Sequence, residues 1–289
     1  MFKPFLATAA VALLCGTALA DTRTARPPEA VRPASAPDTV RFAHSGDRRL
    51  AYRVRGSGGT PIVLISGLSH GMDTFNRVAP ELARTLTVIV YDRPGYGAST
   101  GPSRAVDAQS QVEDLAAVLK SSQVRGPYIL VGHSTGGFIA ELYAAQHPDD
   151  VAGMVLEDVR TATFGRRCEA AGVAGCAPTP QMVRNDRQGT RDEVAGLGAA
   201  TAQVAAIRPA AELPVLVISR ALARSPTPFE VVWSKAQADL AASYPGSTHL
   251  IAPSPSHDVH RTDRAWFTAA VRDFAGRSGR LRPAGAGGL

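Results

Sequence analysis

The chain has 289 residues, 45% of them hydrophobic, which is enough for one large domain with its own core. Its formal net charge of +6 comes largely from arginines scattered through an early linker, a middle insertion and the tail. No basic run is interleaved with aromatics, which excludes a nucleic-acid-binding strip, and the sequence shows neither an internal repeat nor a metal-ligand cluster by spacing.

Residues 1–20 carry one cation, Lys3, then an apolar run from Phe5 to Leu14 and the small-x-small triplet Ala18-Leu19-Ala20. That reads as a secretory signal peptide cut after Ala20. The run is too short to cross a bilayer, so the mature chain is expected to have no stable membrane span and to be periplasmic or secreted. Residues 21–38 are rich in Pro, Ala and Arg without an apolar period and read as a disordered linker. Cys15 leaves with the signal, and two cysteines eight positions apart in an exported chain, Cys168 and Cys176, are expected to form a local disulfide.

From Val40 the pattern becomes regular. Val40–Ala43 and Leu50–Val54 alternate as strands around Ser45-Gly46-Asp47, an opening antiparallel hairpin. Pro61–Ile65 and Thr87–Tyr91 are buried strands with a helix-like stretch, Met72–Arg84, between them, and Val106–Lys120 is an amphipathic helix. Tyr128–Val131 is a further apolar strand, followed by Gly132-His133-Ser134-Thr135-Gly136 and then by apolar residues at helical spacing through Tyr143. Met154–Leu156, Val215–Ile218 and Thr248–Ile251 complete the strands. Alternation of this kind predicts an α/β fold, a mostly parallel central sheet with helices on both faces and ligands at the carboxyl ends of the strands. The core spans residues 39–158 and 214–276, residues 159–213 form an inserted segment, and residues 277–289 read as a flexible tail.

Ser134 sits where strand turns into helix, with Gly132 and Gly136 on either side. Such a G-x-S-x-G bend is too sharp for side chains at the glycine positions, and it holds the serine in a strained conformation with its hydroxyl clear of the sheet. The helix that follows aims its free N–H groups and positive dipole end at the same place.

Together with Tyr91-Asp92-Arg93-Pro94-Gly95-Tyr96-Gly97-Ala98-Ser99, which is similar to a D-x-P-G-x-G-x-S turn, this elbow resembles the α/β-hydrolase fold family from about Val40 to Phe274. The resemblance implies the α/β-hydrolase fold, a small lid in the 159–213 insertion, and a serine hydrolase acting on a small-molecule acyl substrate without metal or organic cofactor. It makes Ser134 the nucleophile and Asp92 a structural residue. It maps the oxyanion donors onto the backbone N–H groups of Leu68 and Thr135, with Ser66 standing where the family usually has histidine. The base falls to His257 in Ser254-Pro255-Ser256-His257-Asp258, with His260 in reserve. The usual acid position after Ser219 is empty, since Arg220 to Phe229 contains no carboxylate. A subset of the family carries the acid one strand earlier, which is Asp158 here; Glu157 and Glu230 are the alternatives. The expected activity is cleavage of a carboxylic ester or related acyl bond through an acyl-enzyme, with peptidase, lactonase, thioesterase and acyltransferase open as variants. A non-catalytic ligand-binding protein of the same fold is the alternative that the missing carboxylate keeps in play.

Overall fold

The structure is a computed structural model that describes residues 39–101, 105–207 and 212–281. The expected signal peptide and linker, residues 1–38, lie outside it. A hairpin of β1 (Arg41–Ser45) and β2 (Arg48–Arg55) opens the chain, turning at Gly46-Asp47. Strand β2 runs antiparallel to β4 (Val88–Tyr91). With β4, the strands β3 (Ile62–Ile65), β5 (Tyr128–His133), β6 (Val151–Glu157), β7 (Val215–Ser219) and β8 (Thr248–Ile251) are parallel, in the order β1-β2-β4-β3-β5-β6-β7-β8.

Period-two alternation decides which residues fill which face. Val63 and Ile65 of β3 join the core shared with α2 (Ala108–Ser122) and α3 (Gly136–Gln146). Ile62 and Leu64 join the opposite core, closed by α1 (Ala79–Leu82) and α8 (Arg264–Leu281). Between β6 and β7 lie α4 (Phe164–Ala170) and α5 (Gln188–Ala205), α6 (Pro228–Ser243) precedes β8, and the short α7 (Val259–Thr262) follows it. Among the described residues no helix is long and apolar enough to cross a membrane.

Three expectations are corrected. The stretch Met72–Arg84 is not one helix: a 3-10 turn at Met72–Phe75 is followed by the separate α1, which starts anew around Pro80. The inserted segment is only partly separate from the core, because Ala200 and Val204 of α5 are buried in the α2/α3 face. Among the described residues of the segment, α4 and the loop closed by the Cys168–Cys176 disulfide make their own cluster, with Val232, Trp233 and Ala236 of α6. Finally, α8 continues to Leu281 with Ser278 buried, so the tail is helical over its first residues, and residues 282–289 lie outside the description.

One polar residue of α3 faces the core. Glu141 is buried, its Oε1 accepts the Tyr244 hydroxyl proton at 3.0 Å, and its Oε2 has no partner. Burial raises its pKa to about 7. The native state therefore holds a proton that the unfolded chain has released, and stability falls as pH rises from the unfolded carboxyl value toward 7. Glu141→Gln should raise thermal stability at pH 8 by an amount on the order of 2 kcal/mol. The gain should shrink toward zero near pH 4.5 in thermal melts, and a gain independent of pH would contradict the assignment.

Candidate active site

The elbow joins β5 to α3. Ser134 has φ of 52°, the left-handed region that non-glycine residues avoid. A Cβ at Gly132 would lie 2.8 Å from the Gly136 carbonyl oxygen, and one at Gly136 would lie 2.4 Å from that of Ile65, so both glycines are required sterically. The bend is pinned by backbone bonds from Ser134 N to Glu157 O and from Arg160 N to Ser134 O, each 3.1 Å.

The end of β6 supplies the carboxylate. Asp158 is fully buried, and its φ of 41° marks a second left-handed residue. Its Oδ2 lies 2.6 Å from His257 Nδ1, while Oδ1 accepts the Arg220 backbone N–H at 3.2 Å and the Arg220 Nε stands 3.6 Å from Oδ2. Because a carboxylate can only accept, Nδ1 of His257 carries the proton, which leaves Nε2 of the neutral ring as the acceptor. The ring is seated against Trp233, edge-on at 5.5 Å between centroids, and against His133 at 4.8 Å. His133 directly precedes Ser134, and its Nε2 donates to the His257 carbonyl at 3.2 Å, so the loop bearing His257 is fastened to the elbow.

The other candidates go elsewhere. Glu157 is buried against His260, accepting its backbone N–H at 2.7 Å and its Nδ1–H at 2.8 Å. Burial alone would raise the Glu157 pKa, but the charge and hydrogen bonds of His260 outweigh it and hold the carboxyl below its ordinary value. His260, the reserve base, is buried with Nε2 on the Thr74 hydroxyl at 2.8 Å. Glu230 closes a capping box with Thr227 at the exposed start of α6. Asp92 braces its own turn, accepting from Met72 N at 2.7 Å and Ala98 N at 3.1 Å. The fold also gathers two sets that linear spacing could not show, His70 with His133 and Asp258, and His133 with Glu157 and His260, each with ligand-type atoms close enough to surround a cation. Burial pushes the His133 pKa well down, so its ring stays neutral, and its Nδ1 is sealed without a partner.

The loop after β3 closes the other side. A Cβ on Gly67 would come within 2.6 Å of the Ser134 Cβ, so loop and elbow are in direct contact. Among the described residues neither the Leu68 nor the Thr135 N–H finds a protein acceptor. The loop is held from behind by Arg93, a residue whose role the sequence did not reveal. Its Nη1 donates to the Ser66 carbonyl (2.5 Å) and hydroxyl oxygen (2.6 Å), and its Nη2 to the Gly67 carbonyl (2.9 Å). Ser66 in turn donates to His70 O at 2.9 Å, which is loop support where histidine was expected. The same guanidinium pairs with Glu193 of α5, Nε to Oε1 at 2.6 Å, and Tyr96 donates to Glu193 while accepting the Ser69 N–H. Arg93 is 1% exposed, and although burial disfavours its charge, Glu193 more than compensates and raises its pKa. Lysine keeps the charge but cannot reach two carbonyls and a carboxylate together. Arg93→Lys is therefore expected to lower kcat about 10- to 100-fold with KM nearly unchanged, as misplaced oxyanion donors would. Steady-state kinetics checks this, and a pure KM effect would refute it.

Comparison with known proteins agrees with this architecture. Residues 60–191 match the model of the alpha/beta hydrolase fold family. An uncharacterised Bacillus subtilis protein, YqjL, is 37% identical over 105 residues, which is 36% of this chain and 41% of that one. The human monoacylglycerol lipase ABHD6 is 32% identical over 123 residues, 40% of this chain and 36% of the lipase. The chain thus matches less than half the length of these relatives. A thermophilic esterase from Thermogutta terrifontis superposes with a TM-score of 0.63 at 20% identity, covering 83% of this chain and 99% of the esterase, a likeness of fold. The eight-stranded sheet, the elbow at its centre and the match of residues 60–191 to the family model together show that the chain has the α/β-hydrolase fold.

Proposed function

We propose that the protein is an exported serine hydrolase that cleaves a carboxylic ester, or a related acyl bond of a small molecule, through an acyl-enzyme on Ser134. The observation that carries this reading is the 2.6 Å contact between Asp158 Oδ2 and His257 Nδ1, on a loop tied to the residue before an elbow serine. Nε2 of His257 would take the hydroxyl proton as Ser134 Oγ attacks the carbonyl carbon and return it to the leaving alcohol. The Leu68 and Thr135 N–H groups would receive the oxyanion, and Asp158 would keep the ring oriented and balance the imidazolium. Water, deprotonated by the same imidazole, would then release the acid and free Ser134.

Asp158 supplies a carboxylate in contact with His257, so the argument for a non-catalytic binding protein loses the missing acid on which it stood. The relatives' names support hydrolysis; lactones, thioesters and peptides would use the same groups. Export rests on residues 1–20 and is supported by the Cys168–Cys176 disulfide, which belongs to an oxidising compartment. The test is a fluorophosphonate probe on the intact protein followed by mass spectrometry. An adduct on the Ser134 peptide is expected, and an unlabelled protein refutes the reading.

A further inference from the structure

The elbow carries a buried cation. Arg160 lies two residues beyond Asp158, and its backbone N–H donates to the Ser134 carbonyl, so its position is set by the elbow itself. The residue is 9% exposed. Its guanidinium lies over the Phe164 ring, 5.2 Å from Cζ to centroid, and Nη1 donates to the Cys176 carbonyl at 2.9 Å. Phe164 meets Trp233 edge-on at 4.7 Å, and Trp233 meets the His257 ring at 5.5 Å. Arg160 is thus connected through its backbone to Ser134 and through two aromatic rings to His257.

Among the described residues no carboxylate answers this charge. Arg48 is matched by Asp114 and Arg93 by Glu193, each at 2.6 Å, and Arg220, over the Trp233 ring, stands 3.6 Å from Asp158. Arg160 has no ion pair among the described residues, and burial without an opposing acid lowers its pKa, though a guanidinium stays charged. Its Nε and Nη2 have no acceptor among the described residues, yet they are not among the unpaired side-chain nitrogens sealed from solvent. Water therefore reaches that edge of the planar fork. The burial of an unpaired charge is unfavourable unless something completes it, and two parallel N–H groups are the usual complement of a carboxylate.

We infer that Arg160 receives an acidic group of the substrate, so that the ester this protein prefers carries a carboxylate as well as the scissile bond. The inference rests on the serine-hydrolase reading and specifies its substrate class. A purely structural Arg160, holding Phe164 and the disulfide loop, would serve neutral and anionic esters alike.

Two matched pairs of esters test this with the full chain. Mono-p-nitrophenyl adipate against p-nitrophenyl hexanoate places the charge on the acyl side. The pair 4-acetoxybenzoate and phenyl acetate places it on the leaving group. In at least one pair the wild type should favour the anionic ester in kcat/KM by 10-fold or more. Arg160→Gln should lower that ratio by about 10- to 100-fold, mainly through KM for the anionic ester, as loss of a charge-assisted contact does, and Arg160→Lys should recover part of it. Equal preference in both pairs, or a ratio unmoved by Arg160→Gln, overturns the inference, and the wild-type ratios decide it even if the variant folds poorly. Fluorophosphonate labelling separates the two failures. A labelled protein without charge preference sinks only this inference, whereas an unlabelled protein inactive on all four esters sinks the hydrolase reading beneath it.

Discussion

Ser134→Ala is expected to reduce kcat for a p-nitrophenyl ester by a factor on the order of 10⁶, leaving a residual rate above that in water from substrate binding and the backbone donors. The replacement removes the attacking oxygen and little else. Alanine has the same Cβ, so the left-handed conformation at φ 52° and the packing of Gly67 on that Cβ persist. The fold should therefore melt within a few degrees of wild type, with the label gone and turnover reduced to that residual rate. A second substitution separates strain from chemistry. Glycine accepts positive φ without steric cost, so Ser134→Gly should be equally inactive yet no less stable, the small cost of glycine in the unfolded state being offset by relief of about 1 kcal/mol of strain. Ester hydrolysis that stays near the wild-type rate in Ser134→Ala would place the nucleophile elsewhere.

The parts of this site that were legible in the sequence are those encoded locally. The elbow needs glycines within two residues of Ser134, the strand-helix alternation fixes a mostly parallel sheet, and Cys168 and Cys176 are close along the chain. Asp158 comes from the resemblance, since a subset of the family carries its acid one strand earlier and Arg220 to Phe229 contains no carboxylate; the structure sets it against His257. What stayed hidden depends on contacts between distant segments. Arg93 sits inside a recognisable turn, but its partner Glu193 is a hundred positions away on α5, and nothing local distinguishes that carboxylate from solvated ones. The histidines near the site were read one at a time, whereas the fold gathers His70, His257 and His260 around His133. The mistaken helix over Met72–Arg84 has a plain cause: Met72, Phe75, Ala79 and Leu82 keep a three-to-four spacing that a 3-10 turn followed by a short helix satisfies equally well.

Asp158→Asn should cost about 10⁴ in kcat. The magnitude follows from where each oxygen points. Oδ1 accepts the Arg220 backbone N–H, a bond that only a carbonyl-type oxygen can replace, so the asparagine would keep its oxygen there and turn its amide N–H₂ toward His257. Nδ1 would then have to accept, the proton would move to Nε2, and the ring would present a donor where the Ser134 hydroxyl needs an acceptor. Glu230→Gln should leave turnover unchanged, because that carboxylate closes the cap of α6 with Thr227 at an exposed helix start. Glu157→Gln should act on stability far more than on kcat, because its partner is the buried His260 and not His257. Measured side by side with one ester, the three variants rank the carboxylates directly. A loss of activity greater in Glu230→Gln or Glu157→Gln than in Asp158→Asn would remove Asp158 from its role and require His257 to find its orientation from a different neighbour.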